Sequence, residues 1–463
     1  MDSGMSAQDV PLDLLCIGFG ATALSVAIAL HEKGAIDNTI FLELQPASTW
    51  MPCSGSPSGR LRTSFLHDLV TSENPRSKFT FMNYLHATNR LVLYANSSQI
   101  NPPRDMFNDY LQWCAAPFQQ RVKYGQRVAA VHPVQNAQGL VECFKVVYAD
   151  SATGQQDVVT AKQVISAVGL QPYVPRALAT IGTLVGVAHA SDCPSRISST
   201  LRTTSGRARF AIIGDGQAAG EIFEYLHGIR GEHKVVWFTQ DPVLREMDDS
   251  PFIMDNTKRP ESKIGQTLPL ELRRRAIGEG YSAQTSSAID RHLLKSIYDI
   301  QYTESVKCID TTKWKCQIRF QHRLTKAEKT ASGQIQLLCQ PIEYEDDQQV
   351  IDVFDLVIAA TGYERTEYKK IMEPLLQLLD GRQITVNQDY QVNFRSGSFS
   401  AGCGLWLLGA IEGEDVSARP PVAVDDHLYP ILASRSRRAV ESILCQRRQR
   451  STTEAAAEQV ARL

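Results

Sequence analysis

Two glycine turns hold the residues of this sequence best suited to chemistry. Gly18-Phe19-Gly20 follows the apolar run Leu12 to Gly18 and leads into ATALSVAIALHEKG. Gly214-Asp215-Gly216-Gln217-Ala218-Ala219 follows Phe210 to Ile213 and leads into a helical stretch from about Ala219 to Ile229. A strand that delivers the chain through glycines into a helix start aims backbone N–H groups and the positive helix end at one point, which suits a pyrophosphate. In the first turn Gly18 makes the tight bend and Gly20 lets the backbone approach phosphates without a side chain. Ala23 allows close helix–strand packing. Glu43 lies 23 residues beyond Gly20, in the strand Thr39 to Gln45, where its carboxylate can accept ribose hydroxyls. Strand, turn, helix, strand and acid together form a dinucleotide unit. Its N-terminal place in a chain with a second unit assigns it to FAD.

The second turn (Gly214, Gly216, Gln217) is assigned to a nicotinamide dinucleotide. Its following strand, Lys234 to Thr239, ends in Thr-Gln-Asp, with no acid placed for an unmodified ribose. That favours NADPH, with Arg245 a candidate for the extra phosphate.

The positioning elements follow from these turns. Two further apolar strands, Gln163 to Leu170 and Phe354 to Glu364, end in glycine punctuation of the kind expected where a chain crosses between nucleotide domains. The fold class is therefore α/β, with two Rossmann-like domains, the NADPH domain inserted in the FAD domain, and a small substrate-site region. The expected boundaries are 1–205 for the first part of the FAD domain and 206–340 for the NADPH domain with substrate-site loops. Residues 341–445 form the second part and 446–463 a flexible tail. The segment 240–300, broken by Pro251, Pro260 and Pro269, reads as loops and short helices over a site.

Composition narrows the function. Lys+Arg 48 against Asp+Glu 50 gives a formal net charge of -2, which argues against a nucleic-acid partner. Ten cysteines stand at irregular spacing without a CxxC pair. That removes a disulfide reductase, a disulfide framework and a zinc cluster, so no metal is expected. No apolar run reaches the ~18–20 residues that span a bilayer, and the expected address is the cytoplasm. What remains for a chain with FAD and NADPH is oxygen activation, in which reduced flavin and O2 form a C4a-hydroperoxide that transfers one oxygen atom.

Longer phrases carry a family resemblance. Trp50, SFLHDLVTSENPRSKFTFMNYLHATNRL (Ser64 to Leu91), the run Pro103 to Trp113, the GDGQAAGE turn and ATGY (Ala360 to Tyr363) resemble the ornithine and lysine N-monooxygenases of siderophore biosynthesis, over most of residues 12–440. The resemblance implies an FAD-, NADPH- and O2-dependent hydroxylation of an amine nitrogen, and a homo-tetramer. Trp50, Val128 and Gly362 join the cofactor-contacting residues.

The pocket positions depart from that family. Its carboxylate-binding lysine is His67 here, and its flavin-side glutamine is Arg62. Met254 and Gly280 stand for two asparagines, and Asp425 for a serine. Two cationic groups, Arg62 and His67, suit a substrate whose carboxylate is close to its reacting amine. Aspartate is therefore the expected substrate, with oxidation through to nitrosuccinate precedented by resemblance, and ornithine N5-hydroxylation is the alternative. His67 and Arg62 are the catalytic candidates, His67 as a base. Rival readings are a Baeyer–Villiger or sulfur-oxidising flavoenzyme and a non-enzymatic flavin-binding remnant. Ala461-Arg462-Leu463 follows the small-basic-leucine pattern of a peroxisomal address.

Overall fold

Leu14, Leu15 and Cys16 on β1 (Leu12–Ile17) are fully buried, as a continuous apolar run demands of a central parallel strand. The computed structural model describes residues 10–47, 59–61, 63–179, 181, 186–247, 288–342, 350–364, 366–381, 383–408 and 429–461. From β1 the chain enters α1 (Ala21–Glu32). That helix closes in a Schellman motif: Gly34, at φ +63°, donates to His31 O, and Ala35 donates to Leu30 O. β2 (Thr39–Leu42) then pairs parallel with β1.

The signature phrase forms α2 (Phe81–Ala87), and the run Pro103 to Trp113 opens α3 (Arg104–Ala115). β3 (Val122–Lys123), β4 (Gln126–Gln135), β5 (Val141–Asp150) and β6 (Gln156–Ser166) follow. The first half of β6 pairs antiparallel with β5, and its apolar second half runs parallel beside β1. Its burial tracks this change, exposed at the start and buried from Gln163 onward. One face of the sheet packs on α1, α2 and α3 through Leu24, Ile28, Phe81, Phe107 and Tyr110. The other face covers Leu15, Val131, Phe144, Val164 and Leu405.

The second sheet is all parallel. It contains β7 (Val187–His189), β8 (Arg209–Ile213), β9 (Lys234–Phe238) and β10 (Cys316–Arg319), with α4 (Cys193–Thr203), α5 (Gln217–Gly228) and α6 (Arg291–Lys307) packed against it. An antiparallel trio, β11 (His322–Lys329), β12 (Ile335–Pro341) and β13 (Val350–Phe354), then leads into β14 (Leu356–Ala359). The sheet order is β10-β9-β8-β14-β7. β15 (Gly404–Leu407) rejoins the first sheet beside β6, completing seven strands.

Two expectations change. The second sheet draws on residues on both sides of 206–340: β7 and α4 precede it, and β14 follows it. A parallel strand reaches its sheet only after a crossover, so the pairing partners of β8 lie far off in sequence. The tail 446–463 is also more than a flexible end, because α7 (Tyr429–Ala461) carries helix into it as far as Ala461. Arg447 Nε donates to Gln163 Oε1 at 2.9 Å, and α7 packs along α1 through Ala439, Val440 and Ile443. Among the described residues no helix is long and apolar enough to cross a membrane.

Candidate active site

The first turn is shaped from behind. Gly18 sits at φ +94°, and a Cβ there would lie 2.7 Å from Ala167 O, the residue just after β6. Gly18 N donates to Leu42 O at 2.7 Å. Gly20 is extended and caps the N-terminus of α1, and a Cβ built on it meets no atom within 4 Å. The turn is thus closed at Gly18 and open at Gly20, on the side where phosphates approach a helix start. Glu43 Oε2 accepts from Phe19 N at 2.6 Å, and Oε1 accepts from Gln45 N at 2.8 Å. Ala23 is fully buried. Val128 is buried in the core cluster that also holds Leu15 and Leu42, next to a β-bulge of β4.

The second turn repeats the backing and inverts the acid. Gly214 sits at φ +150°, and a Cβ there would fall 2.1 Å from Ala360 O, the residue just after β14. Trp237 Nε1 donates to Gly214 O at 2.6 Å. The carboxylate that ties this turn to the next strand belongs to the turn itself. Asp215 Oδ1 accepts from Thr239 Oγ1 and from Gln240 N, each at 2.7 Å. Thr239 and Gln240 at the strand end are thereby tied back to the turn. Arg245 pairs with Asp241 at 3.0 Å.

Gln217 and Gly362, expected as cofactor contacts, also have partners within the chain. Gln217 Oε1 accepts from Asp290 N at 2.8 Å, and its Nε2 donates to Glu221 Oε1 at 2.8 Å. Gly362 O accepts from Tyr173 N and from His189 Nε2, each at 2.9 Å, where the two interdomain crossings meet.

The signature phrase folds around Asp68. Its carboxylate accepts from Val70 N at 2.9 Å, Thr71 N at 2.6 Å, Thr71 Oγ1 at 2.6 Å and Phe81 N at 2.7 Å. Burial pushes this carboxyl above its ordinary range, and the four donors pull the other way. Ser25 Oγ donates to Leu69 O at 2.8 Å, docking the knot on α1. His67 is half-buried at its edge, with its backbone N–H donating to Ser64 O at 2.9 Å. Trp50, Arg62, Met254, Gly280 and Asp425 lie outside the described residues.

The family described as L-lysine 6-monooxygenase/L-ornithine 5-monooxygenase matches residues 10–365 of this chain. The chain belongs to that family. An L-ornithine N(5)-monooxygenase of Ajellomyces capsulatus is 32% identical over 437 residues, covering 93% of this chain and 90% of the relative. One from Pseudomonas aeruginosa is 30% identical over 446 residues, covering 93% and 97%. The solved Ornithine Hydroxylase (PvdA) from Pseudomonas aeruginosa superposes with a TM-score of 0.82 at 27% identity, over 94% of this chain and 100% of that one.

This member of the lysine/ornithine N-monooxygenase family is therefore a flavin-dependent N-hydroxylating oxidoreductase that uses FAD, NADPH and O2. The residues present fit both nucleotides, since each turn opens a helix and the first glycine of each, Gly18 and Gly214, is backed by a carbonyl. The expectation of aspartate as substrate finds no support in relatives named for ornithine. Of the five pocket positions that suggest it, only His67 lies among the described residues.

Some working residues were legible but unassigned. Asp215 stands inside the GDGQAAGE turn, one strand away from the strand-end position where spacing predicts an acid. Asp68 stands inside the signature phrase, but its four donors are brought together only by folding. Ala167 and Ala360 act through carbonyls, which leave no trace in residue type.

Proposed function

We propose that this monooxygenase hydroxylates the side-chain amine of an ornithine-type diamino acid. The observation that carries this is similarity across 93% of the chain to L-ornithine N(5)-monooxygenases. The balanced reaction takes R–NH2, NADPH, H+ and O2 to R–NHOH, NADP+ and water. Bound FAD supplies hydride acceptance and oxygen activation. The chain's part is positional. Gly20 and the start of α1 receive the FAD pyrophosphate, Glu43 faces its ribose, and Gly216 with the start of α5 receives that of NADPH.

The amine must be unprotonated when its N–O bond forms. His67 takes the place of the family's carboxylate-binding lysine and provides a donor to the amino-acid end, with Arg62 as the second cation. Trp50, Val128 and Gly362 complete the flavin surroundings in this reading, and Met254, Gly280 and Asp425 the substrate pocket.

The test is a substrate panel on purified yellow protein, with ornithine, lysine, aspartate and simple alkylamines, scored by hydroxylamine product. Ornithine is expected to give product coupled to NADPH oxidation. Product from aspartate and none from ornithine would overturn the reading. His67→Ala should raise KM for ornithine by about tenfold, the loss of one charged hydrogen bond, and leave the rate of flavin reduction unchanged.

A further inference from the structure

Arg104 and Glu221 are 117 residues apart in sequence, one at the first position of α3 in the flavin domain and the other on α5 in the nicotinamide domain. Their Nη1–Oε2 distance is 2.9 Å, and their side chains are 5% and 6% exposed. Each charge has given up water for the other, so the pair tolerates little relative sliding of the two domains. Gly59 presses on the guanidinium from the flavin side: a Cβ there would lie 2.7 Å from Arg104 Nη1.

The contact continues to the nucleotide turn. The other oxygen of Glu221 accepts from Gln217 Nε2, and Gln217 is the first residue of α5, directly after Gly216. Gln217 Oε1 accepts from Asp290 N, and the Asp290 carboxylate caps α6 through His292 N and Leu293 N. One run of hydrogen bonds therefore joins the flavin domain to the N-termini of both helices that start beside the second glycine turn.

We propose that Arg104 and Glu221 are positioning residues for hydride transfer. They fix the distance and angle at which the nicotinamide domain faces the flavin, acting through Gln217 and without touching either nucleotide. The chemical reason is that hydride transfer depends on sub-ångström placement, whereas binding the phosphates depends on the turn alone. The inference is independent of which amine is hydroxylated, because flavin reduction by NADPH is measured without amine.

The test uses full-length, FAD-loaded protein with Arg104→Met, Arg104→Lys and Glu221→Gln. Three quantities are read: FAD content, NADP+ affinity by calorimetry, and the anaerobic flavin reduction rate at saturating NADPH against reduction by dithionite. Arg104→Met and Glu221→Gln should keep FAD content and keep NADP+ affinity within about threefold, while the NADPH reduction rate falls at least about tenfold. Dithionite reduction should be unchanged, and Arg104→Lys, which keeps the charge, should recover part of the rate. A reduction rate within twofold of the parent in Glu221→Gln overturns the proposal. So does joint loss of FAD, NADP+ affinity and folding in Glu221→Gln and Arg104→Lys, because the pair would then serve the fold alone.

Discussion

The Glu43 carboxylate accepts a hydrogen bond from the backbone N–H of Phe19 at 2.6 Å, joining the end of β2 to the middle of the first glycine turn. Asp215 makes the opposite join in the second domain, from the turn to Thr239 and Gln240 at the strand end. In both cases one acid ties the glycine turn to the end of the neighbouring strand.

Gly20→Val should therefore cost the protein its flavin. The new side chain would enter space that holds no protein atom within 4 Å of the Cβ, the side from which phosphates approach. A drop in FAD affinity of at least ~100-fold, or about 2.7 kcal/mol, is expected. Absorbance of the purified variant at flavin wavelengths checks this. A fully yellow Gly20→Val protein would move the FAD site elsewhere.

Gly214→Ala and Gly216→Val should separate folding from binding in the second domain. A methyl on Gly214 meets Ala360 O at 2.1 Å in a backbone region that L side chains avoid, so a melting temperature several degrees lower is expected. Gly216→Val should fold and hold FAD but reduce its flavin with NADPH at least ~100-fold more slowly, by obstructing the phosphate cradle. Rapid anaerobic reduction of Gly216→Val would show that the second turn does not seat the nucleotide.

Asp68→Asn should destabilise the flavin domain. The replacement keeps one acceptor oxygen but turns an –NH2 toward Phe81 N, donor against donor in a buried site, while the Thr71 hydroxyl can turn to accept. A loss of about 1–3 kcal/mol follows, read as a shifted denaturant midpoint at constant slope. An unshifted midpoint would mean that the signature phrase is held by its aromatic packing instead.

Acid should loosen the interdomain crossing through His189. Its Nε2–H donates to Gly362 O and its Nδ1 accepts from Ser191 N at 3.2 Å, a neutral tautomer with both nitrogens in use. Burial holds the imidazole below its ordinary value, against the Gly362 carbonyl and Asp192, which favour the charged form. The unfolded chain then takes the proton first. The contribution to stability is complete above the unfolded value of ~6.5 and is lost as pH falls below it. His189→Gln keeps a donor to Gly362 O without titrating. Its melting temperature should fall less between pH 7.5 and 5.5 than that of the parent. Parallel curves would assign the acid sensitivity to His227 and His233, which burial also lowers.

The sequence by itself determined the two nucleotide units, because a strand, glycine turn and helix are contiguous and their requirements are local. The family too was legible in phrases such as SFLHDLVT. The tertiary structure decided whatever depended on partners distant in the chain. Ala167 and Ala360 close the turns by carbonyls supplied from strands 149 and 146 residues beyond Gly18 and Gly214. Gln217 reads as a phosphate-turn residue, but Asp290 and Glu221 claim its carboxamide. The domain limits moved outward because β8 pairs with β14, and β14 with β7. The C-terminal segment reads as a flexible tail, yet Arg447 finds Gln163 from 284 residues away. Hydrogen bonds and steric backing act through space, and a linear pattern records only the residues that need them.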